Sequence, residues 1–168
     1  MATATVNSNL VFVYGTLKRG QPNYPQLNPE NGVSTFKGSA KTINKYPLVI
    51  GSKYNIPFLL LKPDSGHNVE GEVYEVDKKM LDHCDDFEGH PNFYQRLETP
   101  VQLIKNENDE LLTKPNTFNC WCYFLKTFKP VLLDLPYLES YCSSKGQPYV
   151  ERYARDQQAG YLVQNDVS

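Results

Sequence analysis

Two stretches of this 168-residue chain carry residue types that could do chemistry. The first is Tyr14-Gly15-Thr16-Leu17-Lys18-Arg19-Gly20, where an apolar run breaks at a glycine. A strand that opens into such a loop can turn consecutive backbone N–H groups toward one point, a concavity that binds a carboxylate or phosphate without a charged side chain. Lys18 or Arg19 would add charge. An ordinary tight turn reads the same way on this fragment alone, and the spacing of glycine and lysine is not that of a Walker loop.

The second stretch is Leu81-Asp82-His83-Cys84-Asp85-Asp86-Phe87-Glu88-Gly89. Such clustered carboxylates are normally a solvated face, and at a helix C-terminus they oppose the macrodipole. Glu88 follows the apolar Phe87 and has Asp85 three positions earlier, so the helix end and a like charge both favour its protonated form. A carboxyl group with a raised pKa alternately accepts and donates a proton near neutral pH, which makes Glu88 the best acid/base candidate.

Other chemistries find less support. No Gly-x-Ser-x-Gly elbow occurs, and no Ser or Cys has an adjacent base that the sequence can place. Cys84, Cys120, Cys122 and Cys142 are read as reduced thiols of a cytosolic protein. Cys120 and Cys122 flank Trp121 and share one face of a strand, but no zinc spacing completes a site, so neither metal nor cofactor is expected. His67 and His90 are placed in solvated turns and His83 on an outer helix face.

The elements that must position these residues follow from pattern. Leu10 to Tyr14 reads as a central strand and Gly15 to Pro29 as an irregular loop with little helix. Short strands follow at Phe36–Ile43, Leu48–Ile50, Phe58–Lys62 and Val69–Val76, punctuated by Pro47, Pro57 and the Pro63–Gly66 turn. Asp77 N-caps a helix over Lys78–Phe87, with Met80, Leu81, Cys84 and Phe87 on one stripe, and Gly89 and Pro91 end it. Tyr94–Ile104 and Phe118–Phe124 read as long strands joined by the polar connection Lys105–Pro115. Leu132–Tyr141 reads as a short helix interrupted by Pro136. The length suits a single domain over 1–168 with flexible ends at about 1–8 and 156–168.

Composition narrows the partners. With a formal charge of -2 and no basic run interleaved with aromatics, nucleic acid is excluded. No stretch approaches the roughly twenty apolar residues of a membrane span, which leaves a cytoplasmic protein. The 12 Tyr and 8 Phe fit a core rich in strands.

Taken together, LVFVYGTLKRGQP (Leu10–Pro22), YPLVI (Tyr46–Ile50), Asn55-Ile56-Pro57, VEGEVYEV (Val69–Val76), Asp85-Asp86-Phe87-Glu88 and Tyr94-Gln95-Arg96 resemble the gamma-glutamyl cyclotransferase-like, AIG2-like superfamily, in its branch acting on gamma-glutamyl amines. The resemblance implies a mixed α/β (α+β) fold, a small β-barrel with few helices, and a pocket beside the first strand. It implies conversion of gamma-glutamyl amines such as gamma-glutamyl-epsilon-lysine to 5-oxoproline and free amine, recovering lysine from transglutaminase cross-links, by a monomer. Its substrate-binding loop carries over to Tyr14, Gly15, Thr16 and Leu17, and its proton-transferring glutamate to Glu88. Tyr94 and Arg96 match its pattern too, Tyr94 as a pocket residue and Arg96 equally as a strand residue paired with an acidic neighbour. Lys105–Pro115 and the tail, where only Arg152-Tyr153 looks familiar, depart from it on the leaving-group side. A cyclotransferase for other gamma-glutamyl amino acids or glutathione, and a non-catalytic binding module of the same fold, are the competing readings.

Overall fold

The computed structural model describes residues 9–155 and Val167. The expectation about flexible ends falls outside these residues, apart from Val167, which is buried and accepts a hydrogen bond from the Lys129 N–H at 2.6 Å.

The strands are β1 (Asn9–Val13), β2 (Ser34–Tyr46), β3 (Leu48–Gly51), β4 (Ile56–Leu59), β5 (His67–Val76), β6 (Tyr94–Lys105) and β7 (Leu111–Leu125), joined by the α-helix α1 (Lys78–Glu88) and short 3-10 helices. Five strands close into a barrel in the order β1-β5-β2-β6-β7, and β3 and β4 form a separate pair. Closure is made by β1, which runs antiparallel to β5 and parallel to β7 through Val11 and Trp121. That central place explains its unbroken apolar run, since both of its faces are covered.

Period-two alternation divides the core. Phe12, Val73, Cys120, Cys122 and Phe124 fall in one cluster, the barrel interior. Val11, Val13, Tyr74, Val76, Tyr123 and Leu125 fall in another, which Met80, Leu81 and Cys84 of α1 cover from outside. The Asp77 carboxylate caps α1 by accepting from the Met80 N–H at 2.9 Å and also from the Val33 N–H at 3.1 Å.

Several boundaries differ from expectation for identifiable reasons. β2 runs on to Tyr46, because β5 offers it partners as far as His67. That same pairing makes His67 a strand residue and not a turn residue. β4 starts at Ile56 and contains Pro57, which an edge strand tolerates. The true hairpin connection is 106–110, because Lys105 pairs with Leu111 and the Asn106 side chain accepts from the N–H groups of Asn108 and Glu110. Of the short helix expected over Leu132–Tyr141 only the first residues are helical, as the end of a 3-10 helix at Pro130–Asp134, and the chain beyond is irregular. All four cysteines are free thiols.

Gly71 lets β1 and β5 approach where the first strand ends. A Cβ there would lie 2.4 Å from the Val13 carbonyl oxygen and 2.6 Å from the Phe12 ring. Gly71→Ala should therefore destabilise the protein by about 1–3 kcal/mol through overpacking, read as a lower urea midpoint with an unchanged m-value.

Candidate active site

Immediately after β1 the chain folds into a turn closed by Lys18 N–H donating to Gly15 C=O at 3.1 Å. Gly15 does not occupy the left-handed region; glycine is required because a Cβ would sit 2.9 Å from the Pro57 ring. Asn23 braces the loop from below, its N–H donating to Thr16 C=O at 2.8 Å and its side-chain amide to the Thr16 hydroxyl at 3.0 Å. Among the described residues no acceptor is met by the N–H groups of Gly15, Thr16 or Leu17, although Gly15 and Leu17 are buried. Three consecutive donors without acceptors among the described residues are of the kind that can bind an anion where a loop turns them toward one point.

The loop's basic side chains point elsewhere. Lys18 Nζ donates to the Tyr141 carbonyl at 2.6 Å. Arg19 lies over the Phe36 ring and pairs with Glu72 and Asp109. Both residues hold the loop in place, and any charge recognition there falls to the backbone. Tyr14 likewise lines the site without offering its hydroxyl, which donates to Tyr123 C=O at 2.7 Å inside the core.

At the other end, α1 stops where Gly89 adopts φ 72° and donates to the Asp85 and Asp86 carbonyls, a left-handed cap that most side chains would strain. The four carboxylates of this segment then separate by role. Asp82 makes a solvated i,i+4 pair with Lys78. Asp85 accepts from Arg96 Nε at 2.8 Å and Nη2 at 3.1 Å and from the Tyr123 hydroxyl at 2.6 Å, so it ties the helix end to β6 and β7. Asp86 is exposed at a cavity rim, and Glu88 lines the same cavity.

That cavity measures about 430 Å³ and is lined by both halves of the predicted site: Tyr14, Gly15, Thr16 and Leu17 on one side of the sequence, Glu88 on the other. Ile56, Pro57, Phe93 and Tyr94 supply an apolar wall. Glu88 keeps partial exposure because it faces the cavity, yet protein surrounds its carboxyl closely enough that desolvation pushes its pKa from 4.5 to about 7, against an opposing pull from Arg152. The direction is the one expected, but the cause differs. Asp85 is neutralised by Arg96, so burial raises the value and the like charge does not.

Burial also holds the Tyr14, Tyr94 and Tyr123 hydroxyls protonated, each raised first by desolvation. Tyr94 donates weakly to Pro57 C=O at 3.3 Å. Arg96 is the structural partner of Asp85 and stacks on Trp121, the strand residue paired with an acidic neighbour that the sequence suggested. His83 is half-buried and shares a hydrogen bond with Gln26, and His90 Nδ1 accepts from the Arg96 N–H, so neither is a purely solvated side chain. Sequence reasoning missed Asn23, Tyr54, Tyr149 and Arg155, and it assigned Arg152 no role, though all five line the cavity. Only the isolated Arg152-Tyr153 match pointed toward the tail.

Among the described residues no three His, Cys, Asp or Glu side chains converge as metal ligands, and no helix is long and apolar enough to cross a membrane. Fold and cavity define a class: small closed-barrel proteins in which a helix end delivers a desolvated carboxyl into a pocket also lined by the loop that follows the first strand. Within that class, the chain belongs to the family described as Gamma-glutamyl cyclotransferase, AIG2-like, which matches residues 11–143. It is 46% identical to gamma-glutamylaminecyclotransferase of Mus musculus over 85% of this chain and 94% of that one. The Homo sapiens protein of the same name is also 46% identical, over 86% of this chain and 95% of its own. A crystal structure of an AIG2-like protein from Mus musculus has a TM-score of 0.81 and 42% identity, covering 89% of this chain and all of that one.

Glu88→Gln should change the pH dependence of stability. With the folded value near 7 and the ordinary value 4.5, the folded parent binds more protons than the unfolded chain between those limits. Parent stability therefore falls as pH rises through this window, by about 1–3 kcal/mol after allowance for solvent screening. The glutamine variant should lack that fall and gain on the parent between pH 4.5 and 8, measured by urea unfolding at both ends.

Proposed function

We propose that this chain is a gamma-glutamylamine cyclotransferase, converting gamma-glutamyl amines such as gamma-glutamyl-epsilon-lysine to 5-oxoproline and the free amine, with Glu88 as general acid and base. The observation that carries this reading is that one cavity is lined both by a desolvated carboxyl and by a loop whose Gly15, Thr16 and Leu17 N–H groups meet no acceptor among the described residues. The names of the relatives from Mus musculus and Homo sapiens support it.

In this mechanism the N–H groups of Gly15, Thr16 and Leu17 receive the glutamyl α-carboxylate, which folds the chain back and brings the α-amine near the γ-carbonyl. Such positioning replaces an encounter in solution and contributes several kcal/mol to lowering the barrier, roughly. Glu88, ionised in an appreciable fraction at neutral pH, accepts a proton from the α-amine as its nitrogen bonds to the γ-carbon. The carbon–nitrogen bond to the leaving amine then breaks, and Glu88 returns the proton to the departing nitrogen. No water is consumed and no second substrate is required.

We place the activity in a single domain over 1–168 that works as a cytoplasmic monomer on a small molecule and recovers lysine from degraded cross-links. Four free thiols suit a reducing compartment, and a net charge of -2 disfavours a nucleic-acid partner.

Glu88→Gln should keep substrate binding within a few-fold while lowering 5-oxoproline release by at least about a hundredfold, the lower end of a positioned acid/base's contribution. For the parent, kcat/KM against pH should rise with an apparent pKa near 7, since the carboxylate form starts the reaction. Chromatographic assay of 5-oxoproline with calorimetric binding separates the two effects, and near-normal turnover by the variant would remove the mechanism.

A further inference from the structure

Part of the cavity wall comes from chain that lies beyond the family match at residues 11–143. From Tyr141 to Arg155 the backbone is an irregular strap pinned at intervals to the elements around the pocket. Ser143 N–H donates to Gln21 Oε1 at 2.9 Å, Asn55 Nδ2 to Pro148 C=O at 2.9 Å, and Val150 N–H to Tyr54 C=O at 3.0 Å. Tyr149 stands between the last two anchors, and its own N–H donates to Ser143 Oγ at 3.1 Å. Its half-buried side chain lines the cavity together with Thr16 and Asn23.

The Asn23 carboxamide joins the hydroxyls of the other two. Its Nδ2 donates to Thr16 Oγ1 at 3.0 Å and to the Tyr149 hydroxyl oxygen at 2.9 Å, which uses both of its hydrogens. Arg155 Nη2 donates to the same Tyr149 oxygen at 3.0 Å. A hydroxyl has one hydrogen and two lone pairs, so on its own it can serve a ligand as donor or as acceptor. Here the choice is made in advance. The Tyr149 oxygen already accepts two hydrogen bonds and Thr16 Oγ1 accepts one, so each hydroxyl hydrogen must point away from Asn23. Among the described residues neither hydrogen meets an acceptor, and both side chains line the cavity next to the turn whose Gly15, Thr16 and Leu17 N–H groups also meet none.

We infer that Asn23 is a positioning residue that sets the polarity of the glutamyl subsite: by donating to Thr16 and Tyr149 it leaves both hydroxyls as donors to the substrate's α-carboxylate. The strap thereby contributes a hydrogen bond to the same group that the β1 turn receives. An acidic side chain at position 23 has the same shape but the opposite polarity, since a carboxylate accepts from both hydroxyls and turns their hydrogens away from the ligand. This inference rests on the cyclotransferase reading and adds to it the residues that prepare the carboxylate site. One hydrogen bond to a charged group changes affinity by roughly ten- to a hundredfold.

The test measures kcat and KM for 5-oxoproline release from gamma-glutamyl-epsilon-lysine in the parent, Tyr149→Phe, Asn23→Asp and the double variant. Tyr149→Phe should raise KM about tenfold and leave kcat within a few-fold. Asn23→Asp, although isosteric, should raise KM by more than Tyr149→Phe does, because both donors are lost at once. In the Tyr149→Phe background the penalty of Asn23→Asp should shrink several-fold, since one of the hydroxyls it acts through is already gone. Repulsion between the new carboxylate and the substrate would leave that penalty unchanged, and an unchanged penalty would overturn the inference. A parent-like KM in Asn23→Asp would overturn it as well, by showing that the carboxamide oxygen faces the hydroxyls. Both results leave the cyclotransferase reading intact, whereas a parent that releases no 5-oxoproline would overturn both. If Asn23→Asp fails to fold, Tyr149→Phe decides: it removes one oxygen, and an unchanged KM would show that the hydroxyl does not meet the substrate.

Discussion

The bidentate pair between Asp85 and Arg96, completed by the Tyr123 hydroxyl, is the contact on which the placement of the site depends. It joins the last turn of α1 to β6 and β7, and both partners are largely buried, with 17% and 18% of their side chains accessible. Leaving one partner of such a pair alone costs about 3–5 kcal/mol, so the helix end cannot drift from the barrel cheaply. Three residues further on, Glu88 inherits that fixed position and lines the cavity. One carboxylate of the acidic segment is thus committed to structure so that another can stand where water is scarce.

Desolvating the Glu88 carboxylate works against folding at pH values where it is ionised. The surrounding hydroxyls show why the arrangement stays selective. Tyr14 and Tyr123 line the cavity but donate to Tyr123 C=O and to Asp85, and burial keeps both protonated along with Tyr94. Near neutral pH these walls stay uncharged while Glu88 exchanges its proton. Polar atoms that are already satisfied do not compete for a substrate, which in the proposed mechanism leaves recognition to the Gly15, Thr16 and Leu17 amides, which meet no acceptor among the described residues.

The site is assembled from two layers of different character. The β1 turn, Gly89 cap and Asp85 clamp belong to the region matched by the family, and they serve the glutamyl half of the reaction in the proposed mechanism. The strap from Tyr141 to Arg155 is built differently, from side-chain and backbone bonds to loops and not from a sheet ladder. An irregular segment anchored at a few points can change its side chains without disturbing the barrel.

Local pattern alone determined a good deal of this protein. Alternation along Val69–Val76, the apolar run at Leu10–Tyr14 and the Asp77 cap are short-range signals, and each appears at or near its expected place because neighbours in sequence create it. The candidates Gly15 to Leu17 and Glu88 were legible for the same reason, as a glycine-led strand end and an acidic helix end. What sequence could not supply was how each carboxylate would be used. Asp85 and Glu88 look alike in the chain, and only the barrel, by bringing Arg96 and Tyr123 to the first and an apolar wall to the second, makes one an anchor and leaves the other desolvated in the cavity. The strap was illegible on the same grounds: Tyr149 and Arg152 reach the cavity through bonds to Asn23 and Phe87, residues far away along the chain, and such contacts leave no periodicity to read.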